Sequence, residues 1–411
     1  MKLEYFITKR LVTTKNYKSS VSAPIIKIAI TAIALGMIMM LIAVATGLGL
    51  KYKIRDKISA FSGHVIITNY DSNITDITLK PIDAQIMNSP DIKNITGVKN
   101  IQKYASKAGI IRTETSFEGI IYKGVDSLYD LNELKDYVIE GRLPKPSAGM
   151  SNEVLLSQYM ADRMHFKVGD KVTTYFMKEW GNKVPNVRQF EIVGIYNSAL
   201  QQFDANIVIG DIRHVQRLNR WQPNEVGGFE VVLNDFDQIQ QKGQEFYTNL
   251  PSTVDSKTIV DKYSNIFSWI DMFDFNIMVI IIIMVAVASI NMIVALLVLI
   301  LERTQMIGIL KAMGANNWTI RKIFLYNATY LIVKGLLYGN IIGLGLLYTQ
   351  QYFGFIKLDS TSYYVREAPV LIRFTDVFLL NAGVILIAFL VLLIPSYLIS
   401  KISPVKAIRY D

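Results

Sequence analysis

The 411-residue chain contains no cysteine and only three histidines, which are scattered without the spacing of a shared ligand set (His64, His165 and His214). Without cysteine, the protein can form neither a disulfide framework nor a thiolate metal site. The sequence also lacks the glycine-rich phosphate-binding loops of nucleotide-binding enzymes, the serine-hydrolase elbow and the paired-histidine zinc motif. We therefore predict no catalytic residue, no metal site and no cofactor bound by this chain. Any chemical energy for its work would come from elsewhere.

Long apolar runs, in contrast, are abundant. Hydrophobic residues make up 51% of the chain, its mean hydropathy is +0.29, and about 20 apolar residues suffice to cross a bilayer. Four runs exceed that length, which predicts a membrane α-helical protein with transmembrane helices at residues 24–50, 274–301, 323–349 and 374–400. The first run is longer than the apolar part of a signal peptide, so we expect it to remain uncleaved.

The formal net charge of +9 is concentrated on the segments that flank these runs. This distribution favours anionic lipid headgroups as partners and argues against nucleic acid. By the positive-inside rule, segments 1–23, 302–322 and 401–411 lie in the cytoplasm. Helical spacing of apolar residues within 3–13 predicts an interfacial amphipathic helix. Four cations directly after the first run count against this orientation, namely Lys51, Lys53, Arg55 and Lys57.

Residues 51–273 separate the first two apolar runs and are long enough for one or two folded units. Short stretches rich in β-branched and aromatic residues predict strands there. These strands are expected at 62–68, 108–113, 117–122, 171–176, 188–196, 205–209 and 228–233, and helices at 84–87, 157–164 and 235–248. We therefore predict a large α+β extracytoplasmic domain between the first and second transmembrane helices, and a shorter extracytoplasmic loop at 350–373.

The segment 177–187 connects two of the predicted strands and is predicted to be a long hairpin tip. It contains glycine, asparagine and proline, and it carries Trp180, Val184 and Pro185. An aromatic residue beside a rigid proline on an exposed tip is typical of a protein-binding hook. The alternative is that the tip folds back onto its own domain.

The third apolar run carries a repeated small-residue pattern, Gly335, Gly339 and Gly343. Glycines four residues apart allow another helix to approach closely, so we predict that this face packs against a neighbouring helix. Five polar residues within the runs are expected to form interhelical hydrogen bonds rather than a substrate path. These are Asn276, Ser289, Asn291, Asn340 and Asn381.

Residues 302–315 lie between the second and third runs and carry charges that exclude them from the bilayer core. Apolar residues at helical spacing (Met306, Ile309, Leu310 and Met313) predict a short amphipathic helix, which a glycine at position 314 would end. Such a helix either lies in the lipid interface or docks another protein.

Residues 302–315, followed by Ile320 and Phe324, resemble the signature loop of FtsX/MacB-type ABC transporter permeases. The segment 403–409 is similar to the closing motif of that superfamily, and the order of one span, a large domain and three spans also matches. The resemblance implies a MacB-like core in the extracytoplasmic domain and a dimer of permeases bound to a separate ABC ATPase subunit, which binds the ATP and magnesium. It also implies mechanotransmission, in which ATP-driven closure moves the outer domain and no substrate crosses between the helices.

The same resemblance implies that residues of the 302–322 loop couple the chain to the ATPase. These residues are Glu302, Arg303, Met306, Ile307, Gly308, Leu310, Lys311 and Gly314. The family often has an acidic residue immediately before the Ile-Gly pair, whereas this chain has Met306. We therefore expect apolar packing rather than a salt bridge at that position.

Further stretches resemble the lipoprotein-releasing permeases of the LolC/LolE type. They are Phe6, Arg10–Leu11, Gly47, Ile58, Gly63–Ile67, Phe190–Tyr196, Phe203–Ala205 and Gly227–Val231. This resemblance implies a permease of the bacterial inner membrane that is not itself an enzyme and that extracts lipoproteins for a periplasmic carrier. It also implies a carrier-binding hook formed by Trp180, Val184, Pro185 and Arg188. The second permease can be an identical or a different chain.

Apolar residues at the outer ends of the first two transmembrane helices are our candidates for the cavity that receives the lipoprotein acyl chains. They are Val44, Leu48, Leu50, Phe273, Phe275 and Ile277. Two alternatives remain open. The same machinery could serve peptide or drug efflux or the activation of a cell-wall hydrolase, or the chain could be a membrane receptor that works without an ATPase.

Overall fold

The computed structural model describes residues 22–72, 75–113, 116–145, 149–177 and 184–401. The chain divides into two compact units. We call Met1–Lys51, Trp269–Lys357 and Glu367–Asp411 the helical unit, and Tyr52–Ser268 with Leu358–Arg366 the α+β unit. The predicted amphipathic helix at 3–13, the closing motif at 403–409 and Trp180 lie outside the described residues.

The helices are numbered α1 to α13 along the described chain. They are α1 (Ser22–Ser62), α2 (Pro90–Lys93), α3 (Gln158–Met164), α4 (Gln201–Asp204), α5 (Ile212–Asn219), α6 (Ile239–Asn249), α7 (Ile259–Lys262), α8 (Ser264–Glu302), α9 (Thr304–Ala312), α10 (Asn317–Phe353), α11 (Ser360–Tyr363), α12 (Phe374–Ser396) and α13 (Leu398–Lys401). Short 3₁₀ turns lie at Tyr70–Ser72, Ala84–Asn88, Leu131–Tyr137 and Phe236–Gln238.

The strands are numbered β1 to β12. They are β1 (Val65–Asn69), β2 (Ile82–Asp83), β3 (Val98–Arg112), β4 (Phe117–Val125), β5 (Val138–Gly141), β6 (Glu153–Ser157), β7 (Lys171–Phe176), β8 (Asn186–Tyr196), β9 (Ile207–Asp211), β10 (Glu225–Val226), β11 (Gly228–Leu233) and β12 (Val254–Thr258).

Within the described residues, four helical segments are long and apolar enough to cross a membrane. They fall at Pro24–Ser62, Ser264–Glu302, Asn317–Phe353 and Phe374–Lys401. The prediction of four membrane helices with an α+β domain between the first and second is confirmed. Three of the helices extend well beyond the predicted apolar runs, because the flanking residues are charged or polar but still compatible with helix.

The α+β unit is built on a sheet whose strands follow the order β12-β1-β11-β3-β4-β9-β6-β8-β5. Strand β7 pairs with both β3 and β8, so β3, β4, β9, β6, β8 and β7 form a closed circuit. Closure of this kind leaves no free edges within the circuit. Aromatic side chains pack in this region, where the Tyr122 and Phe190 rings stack at 5.0 Å and the Phe190 and His214 rings meet edge-on at 4.8 Å.

Several strand predictions need correction. The stretch 62–68 is not strand from its start, since α1 continues to Ser62 and Gly63 follows with a φ of +66°. Strand β3 begins at Val98, ten residues before the predicted 108, because its first half carries lysines that hid the strand pattern. Strands β6 and β12 were missed, and β12 has the polar sequence VDSKT, which has no strand signal of its own.

Candidate functional site

The segment between α8 and α10 forms a separate short helix, as the sequence predicts. Helix α8 ends at Glu302. Arg303 separates it from the next helix and has a non-helical backbone conformation, with φ −105° and ψ 21°. Helix α9 then runs from Thr304 to Ala312, two residues later than the predicted start. Gly314 follows with a φ of +90°, a backbone conformation that glycine adopts without strain.

The apolar residues of α9 divide between two environments. Ile307 is fully buried, Gly308 is buried, and Met306 and Leu310 pack against the core of the helical unit. Ile309 and Met313, in contrast, are 48% and 78% exposed. A buried side chain such as Ile307 cannot reach a partner directly, so the apolar contact that this helix offers is formed by Ile309 and Met313.

Lys311 on the same helix is half-buried and binds within the chain. Its ammonium donates to the carbonyl oxygens of Ile399 at 2.8 Å and Ser400 at 3.3 Å, at the end of the last helices. Glu302 and Gly314 are exposed, and Arg303 is half-buried.

The three glycines of α10 face α1. A Cβ atom at Gly335 would lie 2.7 Å from Ile33 Cγ2, and one at Gly339 would lie 2.7 Å from Met37 Cβ. A Cβ atom at Gly343 would lie 3.0 Å from Leu41 Cδ1. A larger side chain at these positions would therefore force the two helices apart, whereas at Gly345 nothing lies within 4 Å.

Polar side chains within the long helices have two roles. Asn340 and Asn381 exchange reciprocal amide hydrogen bonds of 2.8 and 3.0 Å, which join α10 to α12. This interhelical bond was predicted. Asn291 donates to the Val287 carbonyl of its own helix at 2.9 Å, so its interhelical bond stays a prediction.

The candidate acyl-chain residues lie around a close contact between α1 and α8. A Cβ atom at Gly47 would lie 2.6 Å from Ile277 Cδ1, and Lys51 pairs with Asp274 at 2.6 Å. Leu50 is buried, whereas Phe275 is 64% exposed. Val44, Leu48, Phe273 and Ile277 are half-buried. The six residues are thus spread between a helix contact and an exposed face of α8.

The 177–187 hairpin is formed by β7 and β8, with Phe176 opposite Asn186. Val184 is 66% exposed, and Pro185 and Arg188 are half-buried. A second hairpin lies beside it, because Ile110 of β3 pairs with Tyr175 of β7. Sequence reasoning missed this neighbour, since the pairing joins segments far apart in the chain.

The two hairpins share an exposed apolar face. Ile110 lies opposite Tyr175, and Tyr175 lies opposite Val187. Residues directly opposite each other on neighbouring strands point to the same face of a sheet, so these three side chains share one face. Phe117 at the start of β4 lies on the same side, opposite Arg112. Phe117 is 72% exposed and Val187 is 48% exposed. The face therefore offers apolar surface on both hairpins.

A buried polar cluster holds the end of α1 and was not predicted from the sequence. Lys123 of β4 donates to the Phe61 carbonyl at 2.6 Å and to Glu230 Oε1 of β11 at 2.6 Å. Tyr129 donates its hydroxyl to Glu230 Oε2 at 2.6 Å. Burial lowers the pKa of Lys123, while the Glu230 carboxylate opposes that shift. We call these residues the α1 clamp.

The loop between α10 and α12 is anchored in the α+β unit. Lys57 donates to the Tyr364 carbonyl at 2.7 Å, and Arg366 donates to Gln158 Oε1 at 3.0 Å. Val365 between them is buried.

The α+β unit contains a cavity of about 970 Å³, whose lining includes Asp76, Lys123, Glu230 and Lys262.

Two family models match the chain. The MacB-like periplasmic core domain matches residues 28–248, which is more than half of the chain. The FtsX-like permease C-terminal domain matches residues 278–404.

Similar chains include the lipoprotein-releasing system transmembrane protein LolC of Buchnera aphidicola subsp. Schizaphis graminum, 23% identical over 385 residues and covering 92% of both chains. The transmembrane protein LolE of the same system in Haemophilus influenzae is 20% identical over 424 residues, covering 99% of both chains. Among solved structures, the periplasmic region of MacB from Actinobacillus actinomycetemcomitans aligns with a TM-score of 0.34 and 13% identity, over 49% of this chain and 91% of that one.

Proposed function

Because the chain belongs to the family of FtsX-like permeases with a MacB-like periplasmic core domain, we propose that it extracts lipoproteins from the bacterial inner membrane. In this proposal it is the permease subunit of an ABC transporter and works as a pair with an identical or related permease. A separate subunit binds and hydrolyses ATP. The names of the LolC and LolE relatives support lipoproteins as the substrate.

The α1 clamp is the observation that carries the mechanical part of the proposal. Helix α1 is continuous from Ser22 to Ser62, and the Phe61 carbonyl at its end is bound by the buried Lys123–Glu230 pair. A continuous helix with a fixed end transmits displacement along its axis, whereas a frayed end would absorb it. This arrangement supports mechanotransmission from the membrane to the α+β unit.

The ATPase subunit would dock on the 302–322 segment. Exposed Ile309 and Met313 supply an apolar contact, while exposed Glu302 and half-buried Arg303 supply charge at its edge. Buried Ile307 and Gly308 and the half-buried Met306 and Leu310 would support this surface from within. This docking requires segments 1–23, 302–322 and 401–411 to be cytoplasmic, and residues 51–273 and 350–373 to be periplasmic.

The acyl chains would leave the outer leaflet along the exposed face of α8 that includes Phe275. Each CH₂ group withdrawn from the bilayer costs about 0.8 kcal/mol, so complete extraction of several chains requires ATP and a receiving protein. The close contact of Gly47 with Ile277 leaves little space between α1 and α8 of one chain. The proposed cavity therefore lies between α8 and a second permease.

The receiving protein would be a periplasmic lipoprotein carrier bound at the 177–187 hairpin. Trp180, Val184, Pro185 and Arg188 are the proposed contacts. The exposed apolar residues on the neighbouring β3–β4 hairpin would enlarge this surface.

One pair of experiments tests the proposal. Affinity purification of the tagged chain in detergent should retain an ATP-hydrolysing subunit, and Ile309→Glu with Met313→Glu should weaken that association by about tenfold or more. Ile139→Glu, which adds a charge at an exposed site of the α+β unit, serves as the control. Absence of the subunit from the parent contradicts the ABC transporter assignment, and equal retention by the parent and the Ile309 and Met313 double variant contradicts docking on the 302–322 segment.

A photo-crosslinking amino acid at Trp180 tests the substrate. It should capture a periplasmic lipoprotein carrier, and the same group at Leu128, which is 75% exposed elsewhere in the α+β unit, should not. Capture of an outer-membrane channel or a cell-wall hydrolase at Trp180 instead would favour the efflux or hydrolase-activation alternatives.

A further inference from the structure

The last membrane helix is interrupted close to its end. Pro395 lies within α12, and Tyr397 separates α12 from the short helix α13. The last carbonyl groups of a helix have no partner within it. The segment 393–400 therefore presents backbone acceptors that require donors from elsewhere.

Two cations from the 302–322 segment supply donors to these acceptors. Arg321, in the second turn of α10, donates from Nε and Nη2 to Ser396 Oγ at 3.2 and 3.1 Å, and from Nη2 to the Leu393 carbonyl at 3.4 Å. Lys311 in α9 donates to the Ile399 and Ser400 carbonyls, as described above. The two cations thus bind on either side of the interruption.

The surroundings hold these contacts in place. Ser396 is fully buried and donates its own hydroxyl to the Leu393 carbonyl at 2.8 Å. The Arg321 guanidinium lies over the Trp318 ring at 5.3 Å from its centroid and near the Tyr397 ring at 6.0 Å. A cation at the C-terminal end of a helix is favoured by the helix dipole, so charge, ring stacking and hydrogen bonding act together.

We propose that Lys311 and Arg321 form a latch that transmits displacement of α9 to the last membrane helix. In this role they are positioning residues within the permease, and Lys311 is not a contact for the ATPase. The inference rests on the proposed function for the source of the displacement. It gives a route by which movement of the 302–322 segment reaches the last membrane helix, in addition to the proposed transmission along α1 from the membrane to the α+β unit.

The absence of native cysteine allows a direct test in the full-length chain. Spin labels on cysteines introduced at Gln305 of α9 and Ile394 of α12, both exposed, report the distance between the two helices. In the parent we expect one narrow distance distribution that is the same in the nucleotide-free and ATP-trapped states. Lys311→Met combined with Arg321→Gln should broaden it, while Lys401→Met, which removes an exposed cation of α13, should not.

The second readout is the amount of lipoprotein released per ATP hydrolysed, measured in proteoliposomes with the copurified ATPase subunit and a periplasmic lipoprotein carrier. The double variant should lower this ratio by about fivefold or more while ATP hydrolysis persists. Lys311→Arg and Arg321→Lys keep cationic donors and should restore most of the ratio, which separates the latch from a general loss of folding.

Three results would overturn the latch. One is an unchanged distance distribution in the double variant, and another is a parallel loss of ATP hydrolysis and release, which would make these residues ATPase contacts. The third is failure of the conservative variants to restore coupling. If no ATP-hydrolysing subunit binds the parent, the proposed function fails, but the distance measurement on the chain alone still decides the latch.

Discussion

His64 lies between the end of α1 and the start of β1, and its ring accepts a hydrogen bond from the backbone of β11. The Leu233 amide donates to His64 Nδ1 at 2.8 Å, so the ring proton belongs on Nε2. The ring also meets Phe236 edge-on at 5.4 Å. Burial, and then the positive charge of Arg55, lower the pKa of His64 from 6.5 to about 4.

This shift predicts an acid-sensitive contribution to stability. Above pH 6.5 the ring is neutral in both states. As pH falls from 6.5 towards 4, the unfolded chain takes up a proton that the folded chain refuses, so the free energy of unfolding falls by about 1–3 kcal/mol. The protection of the β1 and β11 amides against hydrogen exchange, measured relative to the intrinsic exchange rate at each pH, should therefore fall in that window.

The matched control for this prediction is His64→Asn, whose amide oxygen can accept the Leu233 N–H but does not titrate in this range. It should remove most of the pH dependence, whereas His165→Asn at an exposed helix end should retain it. Equal pH profiles for the parent and His64→Asn would show that other groups cause the acid sensitivity.

For single residues, the sequence predicts whether a position is charged or ends a helix better than it predicts which other residues its side chain contacts. The charges of the 302–322 segment mark it as a surface element, and Gly314 was expected to end the helix. The bond from Lys311 to the Ile399 carbonyl, 88 residues away, was not predictable, because the sequence shows the cation but not its acceptor. The α1 clamp was missed for the same reason, since Lys123 and Glu230 are 107 residues apart.

At the scale of elements, α10 offers an internally controlled test of helix packing. Gly339→Ala would place a methyl group 2.7 Å from Met37 Cβ and 2.9 Å from the Ala34 carbonyl. Such overpacking typically costs about 1–3 kcal/mol, so the thermal unfolding midpoint of the solubilised chain should fall. Gly345→Ala in the same helix meets nothing within 4 Å and should leave the midpoint unchanged or raise it slightly. Equal midpoints for the two variants would contradict a close α1–α10 contact.

The limits of single helices and strands were more predictable from the sequence than the pairing between strands. The long apolar runs and the glycine repeat are properties of continuous sequence, so the four membrane helices could be placed closely. Strands β7 and β11 have the predicted limits, because the β-branched and aromatic residues that mark them are local features of the sequence. The pairing of β3 with β7 was not predictable, since it depends on which strands meet in the folded sheet.

At the scale of the whole molecule, the α1 clamp joins three distant parts of the chain, namely the end of α1, β4 and β11. The side chains of Lys123 and Glu230 are only 9% and 4% exposed. Lys123→Met alone leaves the Glu230 charge buried without its cation, and breaking such a pair typically costs about 3–5 kcal/mol. Lys123→Met with Glu230→Gln should cost clearly less, because no buried charge remains and the introduced amide oxygen can still accept the hydrogen bond from Tyr129.

A double-mutant comparison of unfolding free energies for the α+β unit within the full chain measures this effect. The control pair is Lys99 with Glu133, an exposed ion pair of 2.8 Å, for which removal of one partner should change little. If Lys123→Met and the double variant were equally unstable, the destabilisation would come from lost packing rather than from an unpaired charge.

The sheet order has a consequence for biosynthesis. Val65 at the start of β1 pairs with Val231 on one side and Thr258 on the other. While the chain is being made, α1 can enter the membrane early, but β1 lacks both neighbours until nearly the whole domain has been synthesised. A high sequence separation of contacts slows folding and leaves unpaired strand edges exposed to aggregation and proteolysis. Nascent chains that stop before residue 258 should therefore be sensitive to added protease, with resistance appearing abruptly once β12 is complete.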